Sequence, residues 1–108
     1  MDARAFEDLA EETLERLFEL LDEAIGDDAD VDLEGGILTV ELEDGRQYVI
    51  NKHTASQEIW VSSPLSGAAH YGHNVEAGAW IATRSGDVMS QSLGTEFSQL
   101  FAKPVSLL

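Results

Sequence analysis

The chain has no cysteine. It therefore builds no disulfide framework, no thiolate metal site and no cysteine nucleophile. Basic residues are scarce as well, with six Lys and Arg against 21 Asp and Glu and a formal net charge of −15. Without a basic patch, nucleic acid and anionic lipid are excluded as partners. No apolar run approaches the ~20 residues that span a bilayer. The opening MDARAFEDLAEE is the reverse of a basic signal or transit sequence. There is no G-x-S-x-G elbow and no phosphate-cradling glycine loop, and the serines of SSPLSG read as turn residues. A soluble protein of a reducing compartment is the expectation.

What the chain does have is acid, unevenly placed. Residues 1–44 carry seventeen Asp and Glu against Arg4 and Arg16, whereas residues 45–108 carry four acids and four bases. The first segment seeks cations or basic protein surfaces; the second is neutral and must interact by other means. A hydrophobic content of 44% and the absence of low-complexity tracts indicate a folded protein. Its 108 residues fit a single domain spanning 1–108.

Residues 3–25 read as a helix capped by Asp2, because Phe6, Leu9, Ala10, Thr13, Leu17, Leu20, Leu21 and Ala24 recur at helical spacing, widened by Leu14 and Ile25. Its other face carries Glu7, Glu11 and Glu15 at i,i+4 intervals, followed by Glu19 and Glu23. Each like-charge pair at that spacing costs a few tenths of a kcal/mol, roughly, so burial must hold this helix. After Gly26 the period changes to two: Leu38, Val40 and Leu42 alternate with Thr39, Glu41 and Glu43. Asp44-Gly45 predicts a hairpin with a type I′ turn, and Gly35-Gly36 the turn before it. Further strands are expected over 58–62, 69–73 and 79–83. A second helix is expected from about 88 to 102, weakened at Gly94 by about 1 kcal/mol relative to alanine. The order predicts an α+β fold, two helices on one face of an antiparallel sheet with the opposite face in water.

Three groups of residues are candidates for chemistry. The first is the carboxylate row of the helix, extended by Asp27, Asp28, Asp30 and Asp32, where alternation of the last three would put their side chains on one side of an extended segment. Oxygen donors of this kind suit hard cations. An EF-hand is excluded, since a loop starting at Asp28 has Leu33 at the glycine position and Thr39 at the bidentate glutamate position. A ferritin-like di-iron site also fails for want of Glu-x-x-His. The competing reading is a solvated face that confers solubility. The second candidate is Trp60, which alternation places opposite Ile59 and Val61. Which set is buried stays open, with burial of the indole weighed slightly ahead; Trp80 raises the same question. The third is His70 and His73, which face opposite ways on a strand and would share a metal only on a loop.

The strings FEDLAEETLERLFELLDEA, GGILTVELEDG, YVINKHTASQEIWVSSPLSG and AWIATRSGD together resemble the frataxin family, including its bacterial, CyaY-like members, over nearly the whole chain. The INK-x-T-x(4)-IW-x-SSP-x-SG string is the most specific part. The resemblance implies an α/β sandwich of two helices packed on one face of an antiparallel sheet. It also implies an iron-binding protein that serves iron–sulfur cluster assembly as iron donor or regulator of the cysteine desulfurase–scaffold complex. By the same resemblance, Glu7, Glu11, Glu12, Glu15, Glu19, Asp22, Glu23, Asp28, Asp30 and Asp32 form an acidic ridge. That ridge would bind Fe2+ or Fe3+ weakly, admit other divalent cations, and meet a basic partner. Asn51, Lys52 and Trp60 would contact the assembly complex from the open sheet face, which reverses the reading of Trp60 to exposed. Val105 to Leu108 resembles a tail that packs between the helices. Departures are Glu58, where many mitochondrial members have glutamine, and His70 and His73, at positions that differ among members. The implied protein is not an enzyme and is monomeric, with iron-dependent oligomerisation an open question. It would be cytoplasmic in a bacterium, or of the mitochondrial matrix if a processed eukaryotic form. Two alternatives stand beside this: a ferroxidase or iron store, and an acidic protein-binding module with incidental metal affinity.

Overall fold

The computed structural model describes residues 1–107. Its elements are α1 (Ala3–Ile25), β1 (Asp30–Glu34), β2 (Ile37–Glu41), β3 (Gln47–His53), a 3-10 turn (Thr54–Ser56), β4 (Glu58–Ser63), β5 (Gly67–Asn74), β6 (Ala79–Ala82) and α2 (Met89–Phe101). The six strands form one sheet in chain order, each antiparallel to its neighbours. The predicted α+β sandwich is the observed one.

The helix α1 begins where Asp2 accepts the Ala5 N–H at 2.8 Å, which satisfies one of the free donors of the first turn. Phe6, Ala10, Leu14, Leu17, Leu21 and Ile25 make its buried stripe. Against them lie the inward residues of the sheet, Leu38, Val40, Tyr48, Ile50, Ile59, Val61 and Tyr71, with Leu93 and Phe97 of α2. Trp80 is buried on this same face. Its ring meets Phe6 edge-on at 6.0 Å and its Nε1 donates to Thr13 Oγ1 at 3.0 Å.

Of the two predicted glycine turns, one forms as expected. Gly35 and Gly36 both hold positive φ, 59° and 78°, in a two-residue connection between paired Glu34 and Ile37. The Asp44-Gly45 turn differs from the predicted type I′, because only Gly45 has positive φ, at 90°. Its N–H donates to the Leu42 carbonyl at 2.9 Å, and the Leu42 N–H donates to the Arg46 carbonyl at 2.8 Å. Strand pairing stops at Glu41 and Gln47, so the turn is longer than two residues. Asp44 closes it by accepting the Arg46 N–H at 3.0 Å and Arg46 Nε at 2.8 Å. The backbone bond first, then the guanidinium, holds its carboxyl below the usual carboxylate range.

After α2, Ala102 takes the left-handed conformation and the chain turns back. Val105 and Leu107 are buried, and the Val105 N–H donates to Ser98 Oγ at 2.8 Å. Leu108, the end of the expected tail, lies outside the described residues.

Candidate functional site: an acidic edge and an open sheet face

On α1, Glu11 and Glu15 border the β1–β2 hairpin and Glu7 the 3-10 turn after β3, while the remaining carboxylates stand on the exposed side of the helix. Glu7, half-buried, accepts Thr54 Oγ1 at 3.2 Å. Glu11 pairs with Lys52, and Glu11 and Glu15 line a cleft of about 280 Å³ with Leu14, Leu33 and Gly36. Glu12, Glu15, Glu19, Asp22 and Glu23 are exposed. Arg16 lies 3.6 Å from Glu19. For Glu12, Glu15, Asp22 and Glu23 there is no ion-pair partner among the described residues.

Two placements differ from expectation. Asp28 lies in the turn after α1, where its carboxylate is 3.4 Å from Lys103 Nζ, so it does not alternate with Asp30 and Asp32 along a strand. Val31 and Leu33 pack toward the core, which turns Asp30 and Asp32 to the other side of the sheet. The acids therefore wrap around the β1 edge instead of forming one continuous row. Among the described residues no three Asp, Glu or His side chains converge as a metal-holding group. A cation meeting this edge finds hard oxygen donors, singly or in pairs, and no closed cage.

The open face is built by the outward residues of β3, β4 and β5. Ile59 and Val61 are buried, so Trp60 points away from the helices, half-exposed. Its cross-strand partners are Asn51 and His70. Lys52 does not join them. One residue on from Asn51, its side chain faces α1, where Nζ sits 2.6 Å from Glu11 Oε1. Proximity to Glu11 above all, then the charges of Glu7 and Asp8, raises its pKa. Of the three residues expected on the sheet face, the structure brings two together and assigns the third to the acidic edge.

Two features escaped the sequence reading. One is a polar clamp: Glu96 of α2 accepts Tyr48 Oη at 2.8 Å and Ser63 Oγ at 2.6 Å on one oxygen, and Ser66 Oγ at 2.8 Å on the other. Burial, then the Glu96 carboxylate, pushes the Tyr48 hydroxyl well above the ordinary tyrosine value. Of the serines of SSPLSG expected in a turn, Ser62 and Ser63 instead end strand β4 and Ser66 lies in the turn; Ser63 and Ser66 anchor the β4–β5 connection to α2. The signal was present, since Glu96 is the only acid in MSQSLGTEFSQLF. The other is a pair of imidazoles against Trp60, His53 at 3.7 Å and His70 at 4.3 Å between ring centroids. His73 turns inward instead, edge-on to Trp80 at 5.1 Å, and its Nδ1 is buried without a partner. The two histidines do face opposite ways.

Two helices on a six-stranded antiparallel meander, with acids along one helix and an aromatic cluster behind the sheet, define a frataxin-type sandwich. The chain belongs to the frataxin-like family, whose domain it matches over residues 1–103. It is 37% identical to the iron-sulfur cluster assembly protein CyaY of Thioalkalivibrio sulfidiphilus, covering 82% of this chain and 83% of that one. It is also 37% identical to the mitochondrial frataxin homolog of Schizosaccharomyces pombe, over 90% of this chain but 64% of the relative's length. Among solved structures, the frataxin of Psychromonas ingrahamii superimposes with a TM-score of 0.86 at 29% identity, covering 100% of this chain and 99% of that chain. A trimeric frataxin from the yeast Saccharomyces cerevisiae, complexed with ferrous iron, matches with a TM-score of 0.67 at 32% identity, over 95% and 88% of the two chains.

Proposed function

We propose that the protein acts in iron–sulfur cluster assembly as a non-enzymatic, iron-binding donor or regulator that docks on the cysteine desulfurase–scaffold complex. The observation that carries this reading is the division of the surface. Carboxylates, several of them unpaired, line α1 and the β1 edge, while Trp60 and Asn51 stand on the opposite sheet face among aromatic rings, with Glu58 the one carboxylate in contact with the indole among the described residues. The first surface suits Fe2+ and basic protein, and the second suits a protein interface anchored by a large aromatic. The names of the relatives supply the pathway, and the ferrous complex of the yeast trimer supplies iron binding and a trimer as precedents. Iron is cargo here. Exposed carboxylates without a cage bind it weakly and distinguish it poorly from Ca2+ or Mn2+. The compartment is that of the assembly machinery, the bacterial cytoplasm or the mitochondrial matrix.

The test has two arms. Fe2+ titration of isotope-labelled protein is expected to perturb Glu11, Glu12, Glu15, Glu19, Asp22, Glu23, Asp30 and Asp32; changes confined elsewhere defeat the iron assignment. Desulfurase activity is then measured with the protein added, with and without Fe2+. Trp60→Ala is expected to abolish any effect, and an unchanged response defeats the docking assignment. A ferroxidase is the second reading, and oxygen uptake that follows Fe2+ with turnover and disappears in E19Q/D22N would establish it. Among the described residues no histidine pairs with the carboxylates of the acidic edge, which argues against it.

A further inference from the structure

Three planar rings stand side by side on the open sheet face. Trp60 lies between His53 and His70, with centroid separations of 3.7 and 4.3 Å and interplanar angles of 8° and 10°. Strand register builds the stack. Trp60 is opposite His70 on β5 and Asn51 on β3, and His53, two residues beyond Asn51, shares that face. Both broad faces of the indole are therefore covered, and an approaching partner meets ring edges. The indole N–H is committed too, donating to Glu58 Oε1 at 3.0 Å.

The imidazoles remain. His53 Nδ1 contacts Ser56 Oγ, and His70 Nδ1 lies 3.9 Å from Glu58 Oε1. Each Nδ1 has an oxygen beside it, while neither Nε2 has a hydrogen-bond partner among the described residues. A protonated ring is accommodated at both positions, with its Nε2–H left for another molecule. A cation over an indole face also strengthens the stack. Glu58 is the carboxylate that touches the stack. Asn51 and Ile37 continue the row toward β2, and Glu34 of β1 ends it, with Asp30, Asp32 and Glu41 farther along the same side of the sheet. On β5, Ala68 and Gly72 flank His70, and beyond β6 Thr83 donates its N–H to the His70 carbonyl at 3.0 Å. Lys52 and Glu11 lie on the opposite side of the sheet. Counting the groups in contact with the indole, neutral imidazoles leave the single negative charge of Glu58, and protonation of both gives one net positive charge, with Glu34 two strands beyond Asn51.

We propose that His53 and His70 make the Trp60 face a proton-gated docking patch for a carboxylate-bearing segment of a protein partner. Protonation supplies two charged Nε2–H donors beside the Asn51 carboxamide, and an anionic segment is what complements them. The inference rests on the reading that this face docks on the assembly complex, and it assigns that face a charge preference opposite to that of the acidic edge.

The first measurement needs no partner. The indole N–H resonance of Trp60, identified by its loss in W60F, is followed from about pH 8 to about pH 5, the range in which histidine changes charge. It is expected to move in step with the imidazole resonances in the wild type and to stay flat in H53Q/H70Q. The second is the dissociation constant for the desulfurase–scaffold complex near pH 8 and pH 6, in which the wild type is expected to gain about tenfold on acidification beyond any gain of H53Q/H70Q. If the double variant does not fold, H53Q and H70Q are used singly, each losing part of the gain. Equal pH dependence in wild type and variant, or a Trp60 resonance that ignores the histidines, overturns the proposal. If the complex is not bound at either pH while the stack titrates, the docking reading itself has failed, and the two failures are told apart.

Discussion

Lys52 Nζ lies 2.6 Å from Glu11 Oε1, tying β3 to the acidic flank of α1. The pair is the point at which the only Lys or Arg within the described strands answers the carboxylate row, with Glu7 and Asp8 close enough to add to its field.

Replacing Lys52 by methionine should therefore remove more than one contact. The expected loss is about 0.5–1 kcal/mol in low salt, since both partners are partly solvated, and less at high salt. E11Q alone should lose less, because Lys52 keeps the field of Glu7 and Asp8. In K52M/E11Q the two losses should not add, which a double-mutant cycle by urea unfolding reads directly. The linkage has a definite sign. The folded-state pKa of Lys52 is raised, so its contribution is complete below the unfolded lysine value of about 10.4 and is lost as pH rises through the folded one. K52M should flatten that alkaline loss.

The Glu96 clamp makes a second alkaline prediction. Both Tyr48 and Tyr71 have raised pKa values, with burial the first cause in each. Above about pH 10 the unfolded chain releases phenolic protons that the folded chain retains, so stability falls with rising pH. Y48F should lessen this slope and destabilise at pH 7 by about 1 kcal/mol, the worth of one hydrogen bond. E96A strands the Tyr48, Ser63 and Ser66 hydroxyls together, and about 2–3 kcal/mol is the expected loss by urea unfolding.

How much of this was legible in the sequence follows from the range of each interaction. Helix α1, its Asp2 cap and the strand alternation are local, and they form as the spacing of Phe6 to Ile25 and of Leu38 to Leu42 requires. The placement of Lys52 was also local, since alternation separates it from Asn51; the family resemblance obscured this by grouping the two. The Asp44-Gly45 turn was not legible, because Asp44 bonds to Arg46 in a way that ends pairing early. Glu96 with Ser63 and Ser66, and His53 with Trp60 and His70, depend on register across several strands and on the docking of α2. No single-segment pattern contains them. The burial of Trp80 likewise depends on Thr13, which is 67 positions away.

Gly94 illustrates a helix residue whose propensity and packing oppose each other. In isolation, alanine there gains about 1 kcal/mol. In the fold a Cβ at this position would lie 3.1 Å from the Val105 carbonyl oxygen, against the returning tail. G94A is expected to yield no net stabilisation, and G94V to dislodge the tail. Truncation after Lys103 removes the buried Val105 and Leu107, with an expected loss of about 2–4 kcal/mol. Thermal or urea unfolding distinguishes the cases: a stabilised G94A, or a truncation without effect, means the tail does not hold α2.

The acid of α1 sets the last prediction. Glu12, Glu15, Asp22 and Glu23 have no countercharge among the described residues, and Arg16 reaches only Glu19. Folding gathers these charges, so the folded state should gain more than the unfolded chain from any cation that neutralises them. Sodium chloride acts by screening, on the scale of about 8 Å at physiological strength. Ca2+ acts by mass action, adding about 1.4 kcal/mol at ten times its dissociation constant. At about 4–8 °C per kcal/mol for a domain of this size, millimolar Ca2+ should raise Tm by several degrees beyond ionic-strength-matched NaCl. E12Q/E15Q/D22N should start with a higher Tm in low salt and respond less to both, because the repulsion is already relieved. If Tm is indifferent to Ca2+ and salt, the carboxylates are far enough apart to be solvated independently, and the weak cation binding assigned to this edge loses its physical basis.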